Sequence, residues 1–154
     1  MFDIVLFEPE IPPNTGNIIR LCANTGAKLH LIKPMGFSLE DRLLRRAGLD
    51  YHEYASVLVH DTWNDYVRSA KDRRLFAVTV RGTRRYDQIA YRQDDVFVFG
   101  PETRGLPEDT LSGFAESARL RVPMAEGSRS INLCNTVAVV LYEALRQFDF
   151  GSCR

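Results

Sequence analysis

Three short stretches carry side chains whose types and spacing could do chemistry on a ligand. The first is Asn14-Thr15-Gly16-Asn17-Ile18-Ile19-Arg20, directly after Pro12-Pro13. The second is Phe99-Gly100-Pro101-Glu102-Thr103-Arg104-Gly105-Leu106-Pro107. The third is Ser128-Arg129-Ser130-Ile131-Asn132-Leu133-Cys134-Asn135. A carboxylate in a rigid Gly-Pro turn and a Ser/Arg/Asn cluster at a helix start both suit ligand binding, because the first N–H groups of a helix favour anions. Singly, each stretch has a plainer explanation: a capped helix with a solvent-facing arginine, a turn carboxylate holding backbone N–H groups, and a capping box. The third stretch has more polar groups than capping needs, which tilts it toward a site.

Several other chemistries are missing their parts. Gly100 and Gly105 mimic the start of a P-loop, but Leu106-Pro107 stand where Lys-Ser/Thr would reach phosphate and magnesium. No G-x-G-x-x-G follows the first strand, so a nicotinamide dehydrogenase lacks its main support. His30, His52 and His60 have no metal-ligand spacing and read as solvated or structural residues, so no metal is expected. Neither a G-x-S-x-G elbow nor a Cys/His pair is legible.

Short β-branched runs alternate with longer helical patterns and must position these stretches. Phe2–Phe7, Leu29–Ile32, Ala55–Val59, Leu75–Val80, Val96–Phe99 and Leu120–Val122 read as strands. Helices are expected over Asn14–Ala27, from Ser38 to about Ala47, from an Asp61 cap to about Ala70, and over Ile131–Phe148. The last carries two apolar lines, Cys134/Val137/Ala138/Leu141/Leu145/Phe148 and Leu133/Val140/Ala144. A terminal helix apolar on two sides suggests that one side meets another subunit. The order implies an α/β domain with a mostly parallel sheet, and in open sheets of this kind ligands bind at the carboxyl ends of strands.

The chain has 154 residues, which fits one domain over 1–154, and is 45% hydrophobic and 26% charged, values of an ordinary globular protein. No apolar run approaches the roughly 20 residues of a membrane span. The acid-bearing start Phe2-Asp3-Ile4 is unlike a signal peptide. Cys22, Cys134 and Cys153, odd in number, read as free thiols of a reducing cytoplasm. Net charge is zero, yet of 20 basic residues only Lys28, Lys33 and Lys71 are lysine. The arginines group at 42/45/46, 81/84/85 and 119/121/129. Arginine suits bidentate phosphate contacts and base stacking; a genome rich in arginine codons is the alternative, and the residues leave both open.

Together the three stretches resemble the SPOUT methyltransferase superfamily. Asn14-x5-Arg20, Phe99-Gly100-Pro101-Glu102-x-x-Gly105-Leu106 and Ser130-Ile131-Asn132 look like its three motifs for ribose 2′-O-methylation. Glu8–Gly26, Pro34-Met35-Gly36-Phe37, Arg45–Glu53 and Phe99–Pro107 resemble the TrmL (YibK) group, whose members methylate the wobble nucleotide of certain tRNAs, a cytidine or a modified uridine. The resemblance spans essentially the whole chain; it departs at Cys134, where a smaller polar or alanine-like residue is expected. It implies a C-terminal trefoil knot, a rare exception to unknotted topology. It also implies S-adenosylmethionine held by Val78, Thr79, Gly100, Val122, Pro123, Met124, Ser130 and Leu133. An obligate homodimer acting on a tRNA anticodon stem-loop is implied as well, with Arg20 of one subunit near the other's cofactor. Arg20, Asn14, Glu102, Ser130 and Asn132 are the implied catalytic set. A guanidinium with a pKa above about 12 is an awkward base, so Arg20 is read as stabilising the developing alkoxide. A non-catalytic RNA-binding protein of the same fold is the alternative.

Overall fold

The computed structural model describes residues 1–40, 57–151 and 153. Strand β1 (Asp3–Phe7) leads into helix α1 (Pro12–Thr25), then β2 (Lys28–Ile32), β3 (Val57–His60) and α2 (Trp63–Ser69). After β4 (Leu75–Val78) come β5 (Arg84–Arg85), β6 (Val96–Phe99), α3 (Glu108–Ser112), β7 (Arg119–Arg121) and α4 (Leu133–Arg146). Among the described residues these strands form one seven-stranded sheet ordered β3-β2-β1-β6-β4-β7-β5, with every pairing parallel.

The strands alternate strictly, and each face feeds its own core. Ile4, Leu6, Leu29, Leu31, Phe97, Phe99 and Leu120 pack on one side with Ile18, Ile19 and Cys22 of α1 and Val137, Leu141 and Ala144 of α4. Val5, Phe7, Ile32, Ala77, Val96 and Val98 pack on the other with Tyr66 of α2 and Leu111 of α3. Strands covered on both faces read as unbroken apolar runs, which is why β6 was legible.

Some boundaries moved. Helix α1 starts at Pro12, not Asn14, because proline has no N–H to lose at a helix start. It ends as expected at Gly26, whose φ of 74° is the left-handed conformation that lets the chain turn into β2. The cap of α2 is Thr62, whose hydroxyl accepts from Asp65 N at 3.1 Å; Asp61 instead pairs with Lys33 at 2.9 Å. Strand β4 stops at Val78, leaving Val80 exposed. Ser38 accepts from Glu40 N at 3.2 Å, while the helix expected to follow, together with His52 and Arg42/Arg45/Arg46, lies outside the described residues. The two apolar lines of α4 do not face opposite environments: Val140 and Ala144 are fully buried within this chain, alongside Val137 and Leu141. What α4 exposes is Val139 and Tyr142.

On the α2 side, Asp3, His30 and His60 form a line, with His30 Nε2 at 2.9 Å from Asp3 and His30 Nδ1 at 2.9 Å from His60 Nε2. Arg73 also donates to Asp3. Burial works to raise the Asp3 carboxyl, but the hydrogen bonds from His30 and Arg73 prevail and hold it below its ordinary range. Burial, aided by His30, lowers the pKa of His60. Both groups are therefore depressed in the fold, so each contributes stability at neutral pH that is lost on acidification. For His60 the loss begins below its unfolded value of about 6.5, and for Asp3 below about 3.9. The thermal unfolding midpoint should drop between pH 7 and 5, and His60→Gln should flatten that part of the profile.

Candidate active site

The amino end of α1 is where the three polar stretches meet. Pro12 and Pro13 supply no N–H, and the α1 cap residue Ile11 makes no side-chain capping bond. The missing acceptor comes from a distant loop. Glu102 takes a hydrogen bond from Glu10 N at 2.8 Å on one oxygen, and from Ile11 N at 3.1 Å and Asn14 Nδ2 at 3.3 Å on the other. A carboxylate here also opposes the positive end of the α1 dipole. Asn14 Oδ1 in turn accepts from Asn132 Nδ2 at 3.0 Å. Asn132 Oδ1 caps α4, accepting from Cys134 N at 2.9 Å and Asn135 N at 3.4 Å. One continuous clamp thus runs from the start of α1 through Glu102 and Asn14 to the start of α4.

A second tie reinforces it. Thr103 donates its hydroxyl at 2.7 Å and its backbone N–H at 3.1 Å to Glu10, which holds the Glu10 carboxyl below its ordinary range. Arg104 donates to Glu8 at 2.6 Å, whose φ of 48° is unusual for a side-chain-bearing residue.

Beside the clamp opens a cleft of about 480 Å³ at the carboxyl ends of β4, β6 and β7. Its wall is made by Val78, Thr79, Gly100, Val122, Met124 and Leu133, with Asn14, Glu102, Ser130 and Asn132 on the polar side. Ser130 is exposed there. Gly100 is required by close packing: a Cβ would lie 2.2 Å from Leu106 N and 2.3 Å from Gly105 C. Gly100→Ala should therefore cost about 1–3 kcal/mol and open the loop, read as a lower unfolding midpoint.

Of the expected site residues, two stand apart from the cleft. Pro123 is next to it but not on its wall. Arg20 is exposed on α1 and not on the wall either: six residues beyond Asn14, it lies about 9 Å further along the helix and ~120° round it. Sequence reasoning missed Arg81, which lines the cleft and is held by Glu108 at 2.5 Å and Leu106 O at 3.3 Å. Its place in an arginine group was the available signal. Two thiols are unsuited to chemistry: burial pushes Cys22 up to about 12 and raises Cys134 as well. Among the described residues, no three His, Cys, Asp or Glu side chains could hold a metal together. No helix among them is long and apolar enough to cross a membrane.

A family model described as the SpoU rRNA Methylase family matches residues 1–142. The chain belongs to that family. Its SpoU membership agrees with the relatives and solved structures it resembles. A protein of Methylovorus glucosotrophus named tRNA (cytidine(34)-2'-O)-methyltransferase is 61% identical over 151 residues, 98% of each chain. A solved structure concerned with the 2-OH methylation of C/U34 on tRNA superposes with a TM-score of 0.91 at 41% identity, covering 97% of each chain. An AdoMet-bound rRNA methyltransferase from Sinorhizobium meliloti superposes at 0.82 with 26% identity, over 94% of this chain and 56% of that one. The SpoU fold thus accounts for the α/β sheet.

Proposed function

We propose that this protein transfers a methyl group from S-adenosylmethionine to the ribose 2′-hydroxyl of the wobble nucleotide, cytidine or a modified uridine, in tRNA. The observation that carries the reading is the clamp, which brings Asn14, Glu102 and Asn132 from three separate motifs to one side of a cleft at the strand ends. The residues fit the cofactor. Val78, Val122, Met124 and Leu133 offer an apolar bed, Gly100 and its neighbours bring backbone close, and Ser130 adds a hydroxyl. When bound, the cofactor supplies an electrophilic sulfonium methyl.

This chain's part is positioning and charge. In-line attack demands a fixed angle and distance, so a rigid wall and clamp contribute directly to rate. Ser130 and Asn132 orient ribose or cofactor, while Glu102 and Asn14 hold the loops. Arg20 stabilises the charge developing on the 2′-oxygen and grips an adjacent phosphate. Arg20 lies away from the cleft of its own chain, which supports a homodimer in which it serves the partner's cleft. The exposed Val139 and Tyr142 of α4, with Phe150, offer apolar surface for such a contact. The expected trefoil knot fits the loops after β4, β6 and β7, which converge on the cleft. Free thiols and a tRNA substrate favour the cytoplasm.

The test is incubation with radiolabelled S-adenosylmethionine and total tRNA, followed by mapping of the labelled nucleotide. Label at the 2′-oxygen of position 34 is expected. Intact tRNA binding with no label would identify a non-catalytic RNA-binding protein instead.

A further inference from the structure

Two arginine groups far apart in the sequence become one surface in the fold. Strands β5 and β7 pair in parallel, with Arg85 opposite Arg121 and Arg84 opposite Leu120. Directly opposed residues of neighbouring strands point to the same face, and residues two apart on one strand do too. Arg85, Arg119 and Arg121 therefore share the sheet face that carries α3, while Leu120 enters the opposite core. Neighbouring strands are about 4.8 Å apart and residues i and i+2 about 6.6 Å apart, so three guanidinium groups crowd one small edge patch. β5 is the last strand of the sheet, and Arg84 and Arg85 are both exposed.

The patch is continuous with the cleft. Val122, immediately after Arg121, is part of the cleft wall, as are Arg81 and Arg129. Carboxylates offset some of the charge: Asp87 holds Arg85 at 2.5 Å and Glu108 holds Arg81 at 2.5 Å. Arg84 and Arg119 bond only to backbone carbonyls, of Gln88 at 3.1 Å and Phe114 at 3.0 Å. Arg84, Arg119, Arg121 and Arg129 have no carboxylate partner among the described residues. In a chain with zero net charge, this local excess of cation stands at the mouth of the site.

We infer that the β5–β7 edge, through Arg85, Arg119 and Arg121, binds the phosphate backbone of the RNA substrate flanking the nucleotide in the cleft. The inference rests on the proposed tRNA methylation and assigns part of that substrate's path. Guanidinium groups set along a strand edge contact successive phosphates without reading bases, so the patch supplies affinity and register, and the cleft selects the nucleotide.

The experiment measures binding of total tRNA to the full-length protein at several salt concentrations, together with steady-state methylation. The variants are Arg85→Ala/Arg121→Ala and Arg85→Lys/Arg121→Lys. Each lost phosphate contact lowers the slope of log affinity against log salt by about 0.7–0.9. The alanine pair should therefore flatten the slope by roughly 1.5, weaken tRNA binding about tenfold or more, and raise KM for tRNA while kcat at saturation and cofactor affinity hold. The lysine pair keeps the charge and should keep the slope, which separates charge from misfolding. If methylation persists and both pairs retain wild-type affinity and salt slope, the inference is overturned. If the alanine pair loses binding to polyglutamate but not to tRNA, the patch serves an acidic protein and the inference is again overturned. If the wild-type protein neither binds nor methylates tRNA, the proposed function itself fails, a result distinct from the other two.

Discussion

Arg20→Ala is expected to lower kcat for tRNA methylation by roughly 10²–10³-fold, the usual loss when one donor to a developing oxyanion is removed, with cofactor affinity unchanged. Arg20 is exposed on α1 and absent from the cleft wall of its own chain, so its loss leaves the cofactor's bed untouched. Arg20→Lys separates two roles. A lysine supplies the charge without the planar fork, so retention of most activity would argue against a bidentate grip on phosphate and oxygen. Whether the arginine works across the proposed dimer can be read by mixing two variant chains. When Arg20→Ala chains are paired with Gly100→Ala chains, a shared site leaves one complete arginine-and-pocket combination and activity returns. If the arginine served its own cleft, the mixture would stay inactive.

Glu102→Ala should be the most damaging change within the cleft. It removes the acceptor for Glu10 N, Ile11 N and Asn14 Nδ2 at once. Stranding these donors should cost about 2 kcal/mol, or a fall of roughly 4–8 °C in unfolding midpoint for a chain of this size. Once the loop shifts, methyl transfer should fall about 10²-fold, because reacting atoms displaced by an ångström lose that much. Glu102→Gln is the informative companion. Its amide keeps one acceptor but turns an NH2 toward a donor, so it should fail nearly as badly despite equal size. Near-normal stability and activity in Glu102→Gln would show that the carboxylate does not hold the loops.

Much of the fold was legible because its signals are local. β1, β2 and β6 announce themselves as apolar runs and Gly26 as a helix stop, whereas Asn132 was read inside the last helix and proves to be its cap. The strand β5 was not legible, since Arg84–Arg85 has no apolar residue and exists only because β7 lies beside it. The second apolar line of α4 was visible but misassigned. Periodicity shows that Val140 and Ala144 must be buried, and only packing shows that α1 and the sheet suffice. At the site, residue types and order were readable, and so was the gathering of Asn14, Glu102 and Asn132. Their hydrogen-bond partners were not, because Glu102 caps a helix that begins some ninety residues earlier. Arg20 was harder still: its family motif names it, while helical phase turns it away from the cleft of its own chain.

The clamp also bears on when during synthesis the site can exist. The bond from Asn132 to Asn14 spans 118 residues and that from Glu10 to Glu102 spans 92. At the usual pace of translation, about 5–20 residues per second, the two asparagines leave the ribosome roughly ten seconds apart. Contacts of such long range are the slow ones to close. A nascent chain can therefore pair β1 with β2 early but has no clamp until the last helix has begun. S-adenosylmethionine cannot template the early stages; it can only stabilise chains already finished, in proportion to its free concentration. Cofactor binding by truncated chains should accordingly appear abruptly only once α4 is present through Arg146, rather than grow with length.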